Sequence, residues 1–487
     1  MLWSRYNTLF RSKKTGRFCY NSLSNSLIEL DEKHYALLEG CRQGQDISCA
    51  QDNRFFVRLR EKHILLEAGE EEGLLLARQC QRQANCFNSS TLGLTICPTL
   101  ACNFRCPYCF ESSQQSGKCM STETQNRLID WIKEFTAIKH LSVVWYGGEP
   151  LLAFDTICSL TDRFLALGLS YEKVGLITNG YLLDREKIRQ LNELKIDSVQ
   201  ITLDGPAEVH DTRRMLAGGD PTFARIMENV AALMDSDYAG LCQIRINVDK
   251  NNFESFLGLR TELLERFKGK KLYVYPGHLN ILGDQAYDSC CCLNTQEWVD
   301  FHLELARRHG MLASAGLHPS YRLDSTCVAT THQGFVLGPE GELYKCWDDV
   351  GRPALVVGTI HRQESITNPV LWARYITGVD PFNDPECRNC TVLPICGGGC
   401  AHQRLLAKYH GRKEIQYCLP YKTRLIDFLE GYIDSVRTRD ICTALLQPGS
   451  TPAEPLSWRV ISPDPALHAA DRAGEVTSQI TEDHVAS

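Results

Sequence analysis

Three closely spaced thiols give this chain its clearest chemical signal. Cys102, Cys106 and Cys109 follow a short apolar run, residues 92–96, with the spacing CxxxCxxC. Three thiolates can bind three irons of a [4Fe-4S] cube and leave the fourth iron open to a non-protein ligand. The alternative is a structural zinc knuckle, but zinc needs a fourth Cys or His and usually binds CxxC pairs. The spacing therefore favours an iron–sulfur cluster that can carry out chemistry.

Three further motifs follow, each at the end of an apolar run that predicts a strand. They are Tyr146-Gly147-Gly148-Glu149-Pro150, Ile177-Thr178-Asn179-Gly180 and Gln200-Ile201-Thr202-Leu203-Asp204-Gly205-Pro206. Any one of them alone would be an ordinary strand-to-helix turn. Polar residues at the carboxyl ends of parallel strands face one common mouth. The order of the motifs after the three thiols therefore predicts a single shared site.

In this order the motifs resemble the radical S-adenosylmethionine (SAM) superfamily. The resemblance implies that the methionine amine and carboxylate of SAM close the open iron, and that one electron cleaves SAM to a 5'-deoxyadenosyl radical. It also implies that the Gly-Gly-Glu-Pro loop receives the SAM amine, and that Arg213, Arg214 and strand 244–248 contact the rest of SAM. The expected cofactor-binding residues are Tyr108, Gly147, Gly148, Glu149, Pro150, Thr178, Asn179, Asp204 and Arg214.

A second set of cysteines resembles the SPASM extension, which carries auxiliary [4Fe-4S] clusters on some radical SAM enzymes. Gly341 precedes Cys346 by four intervening residues, and Cys327 lies upstream of both. The resemblance implies an interleaved assignment, with auxiliary cluster I on Cys327, Cys346 and Cys400 and auxiliary cluster II on Cys387, Cys390, Cys396 and Cys418. A zinc ribbon is the alternative for the four cysteines between 387 and 400.

Auxiliary cluster I lacks an obvious fourth ligand. Relatives that complete this cluster place another Cys a few residues before the first ligand, where this chain has no thiol. Three alternatives remain for the fourth ligand: a thiol of the run Cys290-Cys291-Cys292, the carboxylate of Asp324, or no protein group at all. The last alternative would leave one iron open to a substrate atom. Other cysteines are interpreted as small buried apolar side chains without a function: Cys19, Cys41, Cys49, Cys80, Cys86, Cys119, Cys158, Cys242 and Cys442.

Length and composition restrict the class of protein. A chain of 487 residues predicts two to four domains. No apolar run approaches the roughly 20 residues of a membrane span, and the basic segment 1–17 lacks the apolar stretch of a signal peptide. Twenty-three cysteines without such a signal indicate metal ligands and free thiols in a reducing cytoplasm. A net charge of −7 argues against a nucleic-acid-coating protein.

The first 90 residues form a pattern of their own, and it predicts three strands followed by three helices. The strands are Trp3–Phe10, Phe18–Leu23 and Ser26–Leu30, and the helices are Glu32–Gly40, Arg54–Leu66 and Glu71–Arg82. This arrangement resembles the winged-helix recognition element of enzymes that modify ribosomally made peptides. The resemblance implies that a leader peptide docks as an added strand, on Phe18–Leu23 or its neighbour. An ordinary cap on the barrel is the alternative.

The remaining chain predicts an α/β fold with a partial (β/α)6, TIM-like barrel. Residues 91–275 alternate short apolar strands with helical stretches, which requires a parallel sheet covered by helices. The predicted barrel helices are 122–138, 153–167, 185–194, 223–235 and 253–267. Residues 276–324 form a bridging region with a helix at 295–309, and residues 325–446 form the SPASM domain. The Pro/Ala/Thr-rich segment 447–487 is predicted to be a disordered tail.

These features predict a radical SAM enzyme that modifies a ribosomally synthesised precursor peptide, with flavodoxin or ferredoxin as electron donor. A thioether, ether or carbon–carbon crosslink is the favoured product, and epimerisation is an alternative. Formylglycine formation on sulfatases is another alternative. Those maturases carry an Asp directly after the Gly-x4-Cys ligand, where this chain has Trp347, so Asp348 and Asp349 are the catalytic candidates. A non-enzymatic iron–sulfur protein that transfers electrons or binds peptide is the remaining alternative.

Overall fold

The structure is a computed structural model. It describes residues 1–12, 16–45, 53–109, 117–279, 291–309, 317–323, 327–446 and 458–461. The strands are β1 (Leu2–Trp3), β2 (Asn7–Ser12), β3 (Gly16–Asn21), β4 (Ser26–Leu30), β5 (Leu65–Leu66), β6 (Thr91–Ile96), β7 (His140–Trp145), β8 (Ser170–Tyr171), β9 (Gly175–Thr178), β10 (Ser198–Leu203), β11 (Leu241–Val248), β12 (Leu272–His278), β13 (Gly334–Leu337), β14 (Glu342–Tyr344), β15 (Gly358–Thr359) and β16 (Trp458–Val460).

The helices alternate with these strands through the central part of the chain. They are α1 (Glu32–Arg42), α2 (Asn53–Glu61), α3 (Glu70–Cys86), α4 (Thr122–Lys133), α5 (Phe154–Leu165), α6 (Arg185–Gln190), α7 (Ala207–His210), α8 (Phe223–Met234), α9 (Phe253–Arg266), α10 (Thr295–His309), α11 (Pro369–Ala373), α12 (Pro385–Arg388), α13 (Leu393–Cys396), α14 (Ala401–Tyr409) and α15 (Tyr421–Leu446).

The centre of the molecule is a mainly parallel sheet. Its strands follow the order β12-β11-β10-β9-β7-β6, and all of these neighbours are parallel. Helices α4, α5, α6, α8 and α9 connect them and begin within one residue of the predicted positions. The predicted α/β fold with a parallel, barrel-like sheet is therefore confirmed. The carboxyl ends of its strands carry the motifs found in the sequence.

The cysteine-rich region extends this sheet beyond β6. Strand β13 pairs in parallel with β6, so that Leu337 lies opposite Ile96, and β14 and β15 continue as antiparallel neighbours. The Cys97 amide donates to the Leu337 carbonyl at 2.9 Å, directly after the two paired strands. Cys346, one of the predicted cluster ligands, follows two residues after β14.

The N-terminal region has three antiparallel strands and three helices, but two of its boundaries differ from the prediction. The single predicted strand Trp3–Phe10 is divided into β1 and β2, because Ser4 accepts a hydrogen bond from the Tyr6 amide and turns the chain. The predicted helix Arg54–Leu66 ends at Glu61, because His63 takes a positive φ of 54° and Leu65–Leu66 then pair with β1.

Part of the predicted disordered tail is a strand. Strand β16 pairs antiparallel with β4, and Trp458 packs 5.4 Å from the ring of Phe55. Disorder was the wrong prediction for this segment, since Trp458 and Val460 both pack onto the apolar cluster under the N-terminal sheet. Residues 447–457 and 462–487 lie outside the described residues.

The sheet order β16-β4-β3-β2 also bears on the predicted docking strand. Strand β3 contains most of the predicted strand Phe18–Leu23, and it is paired on both sides, to β2 and to β4. A central strand has no free backbone donors or acceptors for an added peptide. Docking on β3 was therefore wrong. Of its two neighbours, β2 lies at the edge of the sheet, and β4 is covered by β16. In the described part of the chain, no helix is long and apolar enough to span a membrane.

Candidate active site

The three thiols of the CxxxCxxC segment lie in the loop that follows β6. Cys102, Cys106 and Cys109 line a cavity of about 250 Å³ at the carboxyl ends of the parallel strands. The loop is held by a bridge between Phe104 and Leu216 and by a hydrogen bond from the Arg105 amide to the Met215 carbonyl at 3.0 Å. The predicted position of these thiols at one shared mouth therefore matches the structure.

The arrangement of these thiols fits a multi-iron cluster. Across the described ranges, no three His, Cys, Asp or Glu side chains meet closely enough to hold one metal ion. Thiols around a cube bind separate irons and need not meet at one point. Burial raises the pKa of Cys102 to about 11, so a thiolate there requires a compensating positive charge such as iron supplies. Phe104 also donates its amide to the Cys102 sulfur at 3.4 Å.

The Gly-Gly-Glu-Pro loop packs directly against the thiol-bearing loop. A Cβ atom on Gly148 would lie 2.4 Å from the Ala101 carbonyl oxygen and 2.5 Å from that of Leu100. The Glu149 amide donates to the same Ala101 carbonyl at 2.8 Å. Glycine is therefore needed here for the close approach of two backbones. Gly147 and Gly148 also line the cavity.

Glu149 is buried next to the residues that line the cavity. Its carboxylate is fully buried, and it accepts hydrogen bonds from the Thr178 hydroxyl at 2.7 Å, the Asn179 amide at 2.8 Å and the Leu151 amide at 3.0 Å. Thr178 and Asn179 line the cavity, whereas Glu149 lies behind them. In the described structure Glu149 thus joins two motif loops, and Pro150 is the first residue of the short helix that follows.

A buried polar network lies at the ends of β10 and β11. The Tyr108 hydroxyl donates to Asp204 Oδ1 at 2.7 Å, and Asn247 Nδ2 donates to the same oxygen at 3.2 Å. Arg214 donates to the Tyr108 hydroxyl at 3.1 Å. Burial raises the pKa of Asp204, whereas the Arg214 charge lowers it. Among the described residues, Asp204 Oδ2, Arg214 Nε and Asn103 Nδ2 have no hydrogen-bond partner, as expected where a polar cofactor such as SAM completes the site.

The two arginines named from the sequence have separate positions. Arg214 lines the cavity, whereas Arg213 pairs with the buried Asp249 at 2.9 Å. Sequence reasoning placed strand 244–248 near SAM without identifying the side chains, and Arg245 and Asn247 are the two that reach the cavity. Gln200 and Thr202 also line the cavity; they belong to the third motif but were not among the named cofactor-binding residues. His278 lines it as well and was not predicted, although its polar character at a strand end was a usable signal.

The opposite wall of the cavity comes from the cysteine-rich region. Trp347, Asp348, Arg352 and His402 line it, and the Trp347 ring lies 5.3 Å from the ring of Tyr146. This wall was not predicted, since it depends on residues more than 200 positions from the CxxxCxxC segment. The cavity therefore lies between the SAM-type motifs and the second set of cysteines.

The two candidate acids have different surroundings. Asp348 faces the cavity, and burial raises the pKa of its carboxyl. Asp349 is fully buried behind it, accepts a hydrogen bond from the Tyr375 hydroxyl at 2.7 Å and lies 3.1 Å from His402 Nδ1. Of the two acids, Asp348 alone is placed to meet a substrate, while Asp349 holds Tyr375 and His402.

The cysteines assigned to auxiliary cluster I are electrostatic neighbours. After burial, the charges of Asp348, Asp349 and Cys400 raise the pKa of Cys346. Burial raises the pKa of Cys400 to about 12, and the charge of Cys327 acts in the same direction. These three thiols therefore lie within range of one another, as the interleaved assignment requires.

The cysteines assigned to auxiliary cluster II form a second group. Burial, followed by the charges of Cys418 and Cys387, raises the pKa of Cys396, and the charges of Cys418 and Cys390 raise the pKa of Lys422. Arg404 donates from both terminal nitrogens to the Cys387 sulfur, each at 3.2 Å. Such a cation stabilises a thiolate. The residues fit a second four-thiol cluster.

Only some of the residues suggested as the fourth ligand of auxiliary cluster I belong to the described part of the chain. Cys290 and Asp324 lie outside the described residues. The Cys291 carbonyl accepts a hydrogen bond from the Lys250 amide at 2.9 Å, which places Cys291 beside the loop after β11. Cys292 is its neighbour in the short turn before α10. These contacts assign neither residue to the cluster.

Comparisons with known proteins agree with this site. Residues 96–261 match the Radical SAM superfamily. The chain is 25% identical over 370 residues to the cysteine-type anaerobic sulfatase-maturating enzyme of Clostridium perfringens, covering 68% of this chain and 94% of that one. It is 21% identical over 454 residues to the radical SAM cyclopropyl synthase TigE of Paramaledivibacter caminithermalis, covering 82% and 89%. The solved structure of native anSMEcpe with bound AdoMet and Cp18Cys peptide matches this chain with a TM-score of 0.55 and 22% sequence identity. That match covers 73% of this chain and 100% of the solved one.

Residues 96–261 are a radical SAM domain, and the chain is an enzyme. Such a domain implies a [4Fe-4S] cluster and SAM, as the sequence predicted. The residues present fit both, because the three thiols line one cavity together with Arg214, whose Nε has no hydrogen-bond partner among the described residues.

Proposed function

We propose that this radical SAM enzyme modifies a ribosomally made precursor peptide and installs a crosslink in it. The observation that carries the proposal is the N-terminal sheet, in which strand β4 pairs with an extended segment, β16, as an added antiparallel strand. Because β16 covers this side of β4, a leader peptide that docks there must displace it. An added strand is one of the standard ways in which proteins bind peptides. The same chain therefore combines a sheet that holds an extended segment with a cavity suited to radical chemistry.

The contacts of β16 support a particular leader sequence pattern. Backbone pairing runs from Trp458 opposite Leu30 to Val460 opposite Ile28, and the Ile461 amide donates to the Leu27 carbonyl at 2.9 Å. Trp458 and Val460 pack on the apolar cluster, whereas Arg459 faces Glu29 at 2.7 Å. A leader segment with apolar residues on alternate positions and a cation between them would make the same contacts.

The relatives support a protein or peptide substrate. Two of the similar curated proteins are named as sulfatase-maturating enzymes, and the solved structure of the same fold holds a peptide together with AdoMet. The match to the cyclopropyl synthase covers more of this chain, 82% against 68%. An electron donor such as flavodoxin or ferredoxin would reduce the clusters, and we propose a cytoplasmic enzyme.

The cluster on Cys102, Cys106 and Cys109, together with SAM, would supply the one-electron chemistry that removes a hydrogen atom from an unactivated carbon. The chain itself would orient the substrate in the cavity between β10, β11 and the Trp347–Arg352 wall. Trp347 and Tyr146 form an aromatic surface that excludes water, and Asp348 can accept a proton from the substrate. Auxiliary cluster thiols lie directly behind Asp348, since the Cys346 thiol donates to Asp348 Oδ2 at 3.7 Å.

Formylglycine formation is the second candidate, and the position of Asp348 favours it. Sulfatase maturases resemble this chain over most of its core. Asp348 lies one residue beyond position 347, where those enzymes carry their Asp, and it still lines the cavity. The N-terminal sheet distinguishes the two proposals, because a leader-binding strand is relevant only to a precursor peptide.

Mass spectrometry of two peptide classes separates the candidates. We expect a leader-bearing precursor, encoded beside this gene, to lose two hydrogens per crosslink and to give no hydrazide-reactive aldehyde. A Cys- or Ser-containing sulfatase peptide should be left unchanged. Aldehyde on the sulfatase peptide that disappears in Asp348→Asn, with no mass loss on any precursor, would contradict the crosslinking proposal. Release of 5'-deoxyadenosine from SAM under reduction distinguishes both from a non-enzymatic protein.

A further inference from the structure

The last turn of α3 lies against the segment that carries Cys327. Helix α3 ends at Cys86, which is only 4% exposed. The Cys86 carbonyl accepts a hydrogen bond from the His332 amide at 2.7 Å. One turn earlier, Arg82 donates to the Leu323 carbonyl at 3.3 Å. The helix end is therefore tied to residues on both sides of Cys327.

The contacts of Arg82 fix the face of the helix that points toward the cysteine-rich region. Arg82 and Cys86 are four residues apart and so lie on the same face of α3. Arg82 Nε is 3.6 Å from Asp380 Oδ1, and both side chains are buried. A third residue of the helix, Arg78, lies over the ring of Tyr321 at 5.1 Å. Cys86 is therefore directed at the domain that holds the auxiliary thiols.

Burial raises the pKa of Cys86, and the charge of Cys327 acts in the same direction. Cys327 is in turn a neighbour of Cys400, and Cys400 of Cys346. No hydrogen bond from the Cys86 thiol to any described residue is present, although the thiol is almost fully buried. The position of Cys86, on the helix end that is tied to residues on both sides of Cys327, is the position that a fourth ligand of this cluster would need.

We propose that Cys86 supplies the fourth thiolate of auxiliary cluster I and completes the set Cys327, Cys346 and Cys400. The proposal concerns ligation alone and holds for either product considered above. Cys86 would lose its proton to solvent on binding iron, as each thiol ligand does. It would also link the N-terminal region covalently, through the cluster, to the cysteine-rich region.

Full ligation has a functional consequence. A cluster with four protein thiolates has no open iron and serves to transfer electrons. A substrate atom would therefore not bind auxiliary cluster I. Its role would be to accept the electron left when the oxidised substrate closes a new bond. The alternatives in the 290–292 run and at Asp324 would not be needed.

The test isolates the auxiliary clusters. Ala at Cys102, Cys106 and Cys109 removes the SAM cluster and gives a parent protein with about eight irons per chain after anaerobic reconstitution. In this background Cys86→Ala is compared with Cys80→Ala, which removes an exposed thiol from the same helix. Iron, acid-labile sulfide and the EPR spectrum of the reduced protein are measured with and without added imidazole, which binds an open iron.

We expect the parent and Cys80→Ala to keep about eight irons and to give spectra that imidazole does not change. Cys86→Ala should either lose about one iron per chain, with the EPR signal of a three-iron cluster on oxidation, or keep its iron and respond to imidazole. A parent that already responds to imidazole would refute the proposal. So would a Cys86→Ala spectrum identical to that of the parent.

A second variant covers the case in which Cys86→Ala fails to fold. Cys86→Ser keeps the size of the side chain and offers oxygen in place of sulfur. Mössbauer spectra of the 57Fe-loaded variant should show one altered iron site among the four of the cluster, while the auxiliary cluster II sites stay unchanged. A spectrum that matches the parent at every site would overturn the proposal. None of these measurements uses a peptide substrate, so their failure is independent of the proposed function.

Discussion

Replacing Gly148 by Ala should disrupt the cavity by moving the loop that carries the cluster thiols. The added Cβ would lie 2.4 Å from one carbonyl oxygen of residues 100–101 and 2.5 Å from the other. Real Cβ contacts are almost never under 3.0 Å, so one backbone must move by about 0.6 Å. Both atoms are backbone, and no flexible side chain can absorb the shift.

The expected loss follows from that displacement. A misplacement of about 1 Å at a reacting centre can lower a rate by about 100-fold. We therefore expect SAM cleavage by Gly148→Ala to fall by about 10- to 100-fold. The measurement is 5'-deoxyadenosine release under reduction, together with iron content and SAM affinity by equilibrium dialysis.

Gly93→Ala provides the matched control. Gly93 lies in β6, the strand that leads to the same loop, and a Cβ there meets nothing within 4 Å. The control variant should cleave SAM at the parent rate. Parent-like iron content, SAM affinity and turnover in Gly148→Ala would refute the argument that the two loops must pack backbone to backbone.

The remaining predictions concern the clusters, the tail and the N-terminal helix. Replacing the three CxxxCxxC thiols by Ala should remove about four irons and all SAM cleavage. Replacing Cys387 and Cys390 by Ala should spare some SAM cleavage but stop formation of the product. An equal loss of both activities in the two variants would indicate misfolding. Removing residues 447–487 should tighten the binding of a leader peptide about tenfold, because β16 would no longer compete for β4. Titration calorimetry measures this affinity, and an unchanged value would exclude β4 as the docking strand. Asp31→Ala should lower the free energy of unfolding, measured in urea, by about 1 kcal/mol. Asp31 caps α1 because its side chain accepts a hydrogen bond from the His34 amide at 2.8 Å. Asp31→Asn keeps an acceptor oxygen and should retain most of that stability.

The sequence was sufficient to locate the barrel and its motifs. Helix starts in 91–275 were predicted to within one residue because N-caps such as Ser121 and Asp184 precede amphipathic runs. The thiols were found because cluster ligation requires particular spacings that are visible in the chain. Both signals are local, and local signals are what a single sequence contains.

Contacts between distant segments could not be predicted. Gly148 lines the cavity, but its close contact with the backbone of residues 100–101 was not predicted. The hydrogen bonds that the Glu149 carboxylate accepts from Thr178, Asn179 and Leu151 were not predicted either. The motif explains why a carboxylate is required here, but only the fold shows which groups surround it.

The two acids after Trp347 are a second case in which contacts with distant segments could not be predicted. Asp348 and Asp349 are equivalent in the sequence, and the short helix Trp347–Asp349 turns their side chains in different directions. Asp349 is held by Tyr375 and His402, both of which lie in later helical segments. Because that fixed carboxylate anchors the helix, Asp348 is presented to the cavity beside Cys346. Loss of the Tyr375 hydroxyl would therefore act through the position of Asp348, and Asp348 is the residue at which substrate chemistry and auxiliary cluster I meet.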